Sequence, residues 1–132
     1  MKAKLEYCGN LIEIIDFHHY IEDEMAGNPY NCTFNIRIIS GVFSGLADGC
    51  EYDYKEWKKF IEQLNDLILF KTNEAILYEI GYGGKISFKG DKLGHIKISG
   101  LVYGNAMSHS LQFEFMTDQT VFHSFINELR NL

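Results

Sequence analysis

The densest chemistry in the chain lies between Asp16 and Cys32, where the sequence reads DFHHYIEDEMAGNPYNC. His18 and His19 stand there with Asp16, Glu22, Asp23 and Glu24. Imidazoles and carboxylates ligate metals and carry protons, so a metal centre is the first chemistry to weigh. Adjacent histidines on a strand point to opposite faces and cannot hold one ion together. A helical turn over residues 19–23 would bring only His19 and Asp23 to one side, whereas a catalytic metal needs about three protein ligands. Asn28-Pro29 closes the segment in a turn. No metal and no cofactor are expected here.

Other groups fare no better as catalysts. Seven of the twelve glycines fall between Gly81 and Gly104, and Gly81-Tyr82-Gly83-Gly84-Lys85 resembles a phosphate cradle. Phosphate loops draw their strength from a helix N-terminus directly after the glycines. Here Ile86-Ser87-Phe88 alternates as a strand instead, so the glycines read as hairpin turns and strand kinks. Cys50 is a candidate thiolate, but no histidine is spaced to activate it. Glu51 and Asp53 stand where a helix needs a cap. The chain reads as non-catalytic.

The elements that position these residues follow from hydrophobic periodicity. Alternation predicts strands at Leu11–Phe17, Phe34–Ile38, Ala75–Ile80, Ile86–Phe88, Ile96–Ile98 and Leu111–Phe115. Trp57, Phe60, Ile61, Leu64, Leu67 and Ile68 recur at helical spacing, and Asp53 with Glu56 forms a capping box ahead of them. Phe122, Phe125, Ile126 and Leu129 repeat the pattern behind a cap at Thr117 or Asp118. The expected fold is α+β: a single twisted antiparallel sheet of about six strands with two amphipathic helices on its apolar face. The expected order is β-β-α-β-β-β-β-α, in one domain spanning 1–132 without linker or repeat.

Charge is unevenly placed. The net charge is −6, and residues 1–56 hold ten acids against four bases, whereas residues 57–132 hold eight of each. Clustered acids argue against nucleic acid and favour a cationic partner. No apolar run approaches the ~20 residues that cross a bilayer. Met1-Lys2-Ala3-Lys4 is followed by Glu6 and Asn10, unlike a signal peptide. Cys8, Cys32 and Cys50 form no CxxC and no even set, so free thiols in a reducing cytoplasm are expected.

The segments run from FNIRIISGVFSG (Phe34–Gly45) through EYDYKEWKKFIEQLNDL (Glu51–Leu67), EAILYEI (Glu74–Ile80) and GHIKISGLVYG (Gly94–Gly104) to LQFEFMTDQTVFHSFINEL (Leu111–Leu129). This succession resembles the WapI-type immunity proteins of bacterial polymorphic toxin systems. The resemblance implies a cytoplasmic, non-catalytic protein that binds and blocks the toxic C-terminal domain of a cognate toxin, many of which are nucleases with basic clefts. Charge and composition, rather than the resemblance, choose the candidate contacts. Tyr20, Tyr30, Tyr52 and Tyr54 are candidate anchors, because tyrosine joins apolar area to a polar tip. Glu22, Asp23, Glu24, Asp48 and Glu51 are candidate steering charges. The alternative is a small-molecule module with an apolar pocket between sheet and helices. An enzyme built on Cys50 or a histidine comes third.

Overall fold

The computed structural model describes residues 1–132. The first part holds β1 (Ala3–Tyr7), β2 (Asn10–His19), α1 (Ile21–Met25), β3 (Cys32–Ser40), β4 (Phe43–Tyr52) and α2 (Tyr54–Ile68). The second holds β5 (Glu74–Tyr78), β6 (Lys85–Gly90), β7 (His95–Gly104) and β8 (His109–Asp118), then a 3-10 turn (Gln119–Val121) and α3 (Phe122–Arg130). The α+β class stands, but the expected single sheet of six strands with two helices does not. There are two antiparallel sheets of four strands, β1-β2-β3-β4 and β5-β6-β7-β8, and three α-helices.

The unexpected elements lack a long apolar period. β1 buries only Ala3 and Leu5 among charged neighbours. β4 carries Gly45, Asp48 and Gly49, residues depleted in strands, and its pairing to β3 slips between Phe34 and Ile36. α1 buries no residue, so it has no stripe to reveal it.

The absence of a repeat also needs correction. Each half is a four-strand antiparallel meander followed by a helix. Trp57, Phe60, Ile61 and Leu64 of α2 correspond to Phe122, Phe125, Ile126 and Leu129 of α3, and all eight are buried. Asp53 accepts from Lys55 N at 3.2 Å, and Asp118 accepts from Thr120 N at 2.9 Å two residues later in each case. Ala3 and Leu5 of β1 match Ala75 and Leu77 of β5, and Ile36-Arg37-Ile38 matches Ile96-Lys97-Ile98. Loops of unequal length separate these matches, which hides the period.

The halves are interlocked. The α2 helix runs beside β5 and β6 of the second sheet, and α3 runs beside β1 of the first. Thirty buried apolar residues make one core cluster. Through it passes a chain of aromatic contacts: Phe17–Phe34 at 5.8 Å, Phe34–Trp57 at 4.8 Å, Trp57–Phe60 at 5.9 Å, Phe60–Phe88 at 5.5 Å and Phe88–Phe122 at 6.1 Å between ring centroids. Such pairs add about 0.5–1.5 kcal/mol each beyond the area they bury.

The glycine-rich loop after β5 is an anion nest that the protein fills itself. The buried Glu79 carboxylate accepts from Gly81 N at 2.6 Å, Tyr82 N at 2.5 Å and Gly83 N at 3.1 Å. It also accepts from Glu51 N of β4 at 2.8 Å, and Ile80 N donates to the Glu51 carbonyl at 2.9 Å. One carboxylate therefore ties the end of the first sheet to the first hairpin of the second. Glu79→Ala would leave four N–H groups without an acceptor, and bonds to charged groups contribute ~1.5–3 kcal/mol. A loss of about 3 kcal/mol is expected, read from the urea midpoint at constant slope. A loss below about 0.5 kcal/mol would mean the loop holds itself without the carboxylate.

Candidate interaction surface

The stretch from Asp16 to Asn31 is built as a projecting loop on a fixed base. Asp16 adopts φ 57°, and the β2–β3 register shifts between Ile15 and His18. This bulge turns Phe17 toward the core and His18 to solvent. The His19 ring stacks on Tyr54, 3.6 Å between centroids and 7° from parallel, and its Nε2 meets Glu24 Oε1 at 3.0 Å. Lys58 Nζ lies 5.6 Å from the centre of the same Tyr54 ring.

Asn31 holds the other side. It is buried, and its Oδ1 accepts from Tyr54 N at 2.8 Å, the first N–H of α2. Its Nδ2 donates to the Asn28 carbonyl at 2.8 Å, and its own carbonyl accepts from Tyr20 N at 2.8 Å. The expected capping box is thus only half made. Asp53 caps, while Glu56 turns away to Lys59 at 3.2 Å and Asn31 supplies the second acceptor. A helix start leaves its first N–H groups unsatisfied, and a loop residue distant in sequence can fill that need as well as a local glutamate.

On this base sits α1, with every side chain solvent-accessible. Ile21 is 58% exposed and Met25 83%, four residues apart and so on one side. Tyr20 at 46% and Tyr30 at 44% flank them. Glu22, Asp23 and Glu24 fill the single turn, and of these only Glu24 has an ion pair, with His19. The result is a small apolar knob on a turn whose other three side chains are acidic.

The structure gathers six of the nine candidate contacts here: Tyr20, Glu22, Asp23, Glu24, Tyr30 and Tyr54. Asp48 lies apart, accepting from Asn105 N at 2.7 Å beside the β7–β8 turn. Glu51 is half-buried against the Glu79 loop. Tyr52 is 2% exposed and stacked on Phe34 at 3.9 Å, so it belongs to the core and offers no anchor at the surface. Burial, with the Cys50, Glu79 and Cys32 groups nearby, pushes its hydroxyl well above the usual phenol range. Ile21, Met25 and Asn31 were not among the candidates. The four-residue spacing of Ile21 and Met25 was the available signal, but one apolar pair without a stripe reads as noise.

Chemistry elsewhere is confined. No three His, Cys, Asp or Glu side chains lie close enough to hold a metal ion. Burial first, then the Glu24 and Asp53 carboxylates, push the Cys32 thiol up to about 12. Burial, Glu79 and Asp48 do the same to Cys50, up to about 12. A thiolate nucleophile is therefore scarce at neutral pH. The space enclosed by Ile36, Cys50, Leu77, Ile86 and Val102 is about 10 Å³, no more than one water. A larger groove of about 330 Å³ opens between α2 and β5. No helix is long and apolar enough to cross a membrane. Comparison with protein-family models, curated proteins and solved structures gives no match.

Asn31→Ala strands the buried Tyr54 N–H and loosens the loop, so a loss of about 2 kcal/mol is expected in urea unfolding. Hydrogen exchange should quicken at Tyr20 and Tyr54 in the same variant. A thiol-specific disulfide reagent should titrate one thiol, the exposed Cys8, in the native protein and three after unfolding. The buried thiols rise from an ordinary 9.0 to about 12. Their contribution is complete below pH 9 and is lost as pH climbs through 12. Replacing Cys32 and Cys50 together by Ala should flatten that alkaline decline; an unchanged slope would remove the thiols from it.

Proposed function

We propose that the protein is a non-catalytic inhibitor of another protein. In this reading it is an immunity protein of the WapI type that binds and blocks the toxic C-terminal domain of a cognate bacterial toxin. The observation that carries the reading is α1. Its Ile21 and Met25 are 58% and 83% exposed on the same turn as Glu22 and Asp23, and Tyr20 and Tyr30 of the same projecting loop are exposed as well. Water-facing aliphatic and aromatic side chains gain free energy when a partner covers them. Buried anchors of this kind dominate binding within interfaces of roughly 800 Å² per side. Acids beside the knob speed encounter with a basic partner and disfavour other partners. A nuclease cleft, shaped for phosphates, is basic in the required way.

The base beneath α1 supports the same reading. The His19–Tyr54 stack and the Asn31 hydrogen bonds fix the loop before binding. A pre-ordered surface loses less conformational entropy on association.

The test is a rescue experiment. The toxic domain encoded directly upstream in the source genome is expressed with and without this protein. Restored growth together with co-purification is the expected result. Death despite soluble expression of both proteins would overturn the reading. In the purified pair, replacing Glu22, Asp23 and Glu24 together by Lys should slow association about tenfold at low salt. Met25→Ala should instead speed dissociation. Unchanged protection and an unchanged on-rate in the triple variant would remove α1 from the interface.

A further inference from the structure

Three of the four sheet edges each meet one group from elsewhere in the chain at shorter range than the fourth. At β1, Lys4 N donates to Glu128 Oε1 of α3 at 2.9 Å. At β4, the Leu46 carbonyl lies so near Gly104 that a Cβ there would meet it at 2.8 Å. At β8, the Ser40 hydroxyl donates to the Glu114 carbonyl at 3.3 Å. The β5 edge is different.

The hydrogen bonds flanking β5 fix which backbone groups face outward. Gly90 N donates to the Asn73 carbonyl and Glu79 N to the Gly84 carbonyl, at 3.0 and 2.8 Å. Antiparallel pairing alternates, so Ala75 and Leu77 also direct their N–H and C=O groups to β6. Glu74, Ile76 and Tyr78 then direct theirs to the open side. One residue pair further along, at Ile80, the outward N–H is already joined to β4 through Glu51. Along β5 itself the contact is Ile76 N to Gln63 Oε1 at 3.5 Å, the outer limit of a hydrogen bond. Gln63 occupies in α2 the position that Glu128 occupies in α3. The repeat thus supplies its own control: one device, closed at β1 and left loose at β5.

The open edge lines the groove of about 330 Å³ between β5 and α2. Trp57, Phe60 and Leu77 line its apolar part, and Asp53, Glu56 and Glu74 bring three carboxylates. Lys59 pairs with Glu56 at 3.2 Å, and Lys89 of β6 pairs with Glu74 at 3.4 Å, both through exposed lysines; Asp53 has no ion pair and caps α2.

We infer that the β5 edge binds an extended, basic segment of a partner protein as an added strand. Outward N–H and C=O groups supply sequence-independent bonds, and flanking side chains supply choice. The five residues of β5 offer an edge of about 17 Å. Lys or Arg on the incoming strand would be selected by exchange with Lys59 and Lys89 at Glu56 and Glu74, beside Asp53. A second copy of this chain is the wrong occupant, since edge-to-edge pairing would bring two sets of these acids together. The groove lies on the flank of α2 that carries Glu56, Lys59 and Gln63, away from Tyr54 and Lys58. The inference therefore goes beyond the inhibitor reading and holds or fails separately from it.

The experiment uses the full chain and labelled nine-residue peptides of alternating Lys and Val or Thr. One comparison peptide carries Glu in place of Lys, and another is N-methylated at alternate amides and cannot pair. Saturable micromolar binding of the basic peptide is expected, with each comparison peptide weaker by about tenfold or more. Amide exchange at Glu74 and Tyr78 should slow about tenfold on binding. Glu56→Lys with Glu74→Lys should weaken binding about tenfold. Ile76→Pro removes an outward N–H without touching the β6 ladder and should do the same. If Ile76→Pro does not fold, the charge variant and the exchange pattern decide. Absence of saturable binding, indifference to N-methylation, or protection at other amides would overturn the inference. So would a dimer in sedimentation whose β5 amides are protected without peptide.

Discussion

The Glu79 carboxylate is the constraint on which the arrangement of the two sheets depends. An ionised group out of bulk water is costly unless dipoles replace its hydration. Here four backbone N–H groups do so, three from its own loop and one from β4. The dependence is mutual, because those N–H groups would otherwise have no acceptor. It also dictates small residues nearby. A Cβ on Gly81 would stand 2.7 Å from the carboxylate, one on Gly84 would stand 3.1 Å from the Leu101 carbonyl, and Gly83 needs φ +86°. What looks like a cradle for an external phosphate is the joint between the two halves.

From that joint the geometry of α2 follows. The helix leaves β4 through Asp53, directly after the residues the carboxylate holds, and crosses to the second sheet. One flank then carries Tyr54 toward His19 and the α1 loop. The other carries Glu56 and Gln63 along β5. Both exposed surfaces therefore share one rigid support, and carboxylates outnumber cations along each. The acidity evident from counting residues is not spread evenly over the fold; it borders the places where apolar side chains or backbone groups lack partners.

Periodicity read directly from residues proved reliable where one face is continuously buried. All six apolar positions expected on α2 are buried, as are Phe122, Phe125, Ile126 and Leu129 on α3. It failed where tertiary contacts do the specifying. β4 is held by pairing to β3 around a bulge and not by its own composition. Tyr52 resembles the surface tyrosines in sequence, yet alternation within β4 turns it inward onto Phe34. Asn31 and Glu79 cap or brace residues 23 and 28 positions away, respectively. No local window contains both partners of such a bond. The repeat escaped for a related reason: it is conserved in burial and capping geometry more than in residue identity, and its loops differ in length.

The crossed packing of the helices has a consequence for how the chain must fold as it is made. β1 is made well before α3, yet the acceptor for Lys4 N is Glu128 in α3, 124 residues further along. At elongation rates of ~5–20 residues per second, the β1 edge waits roughly ten seconds for its cover. The first meander likewise makes a helix that belongs beside strands not yet synthesised. Until the second half is made, α2 has its Tyr54 and Trp57 contacts to the first sheet but not those of Phe60 to Phe88, and the β1 edge lacks Glu128. The interlocking that unites the finished protein is thus also what delays its completion.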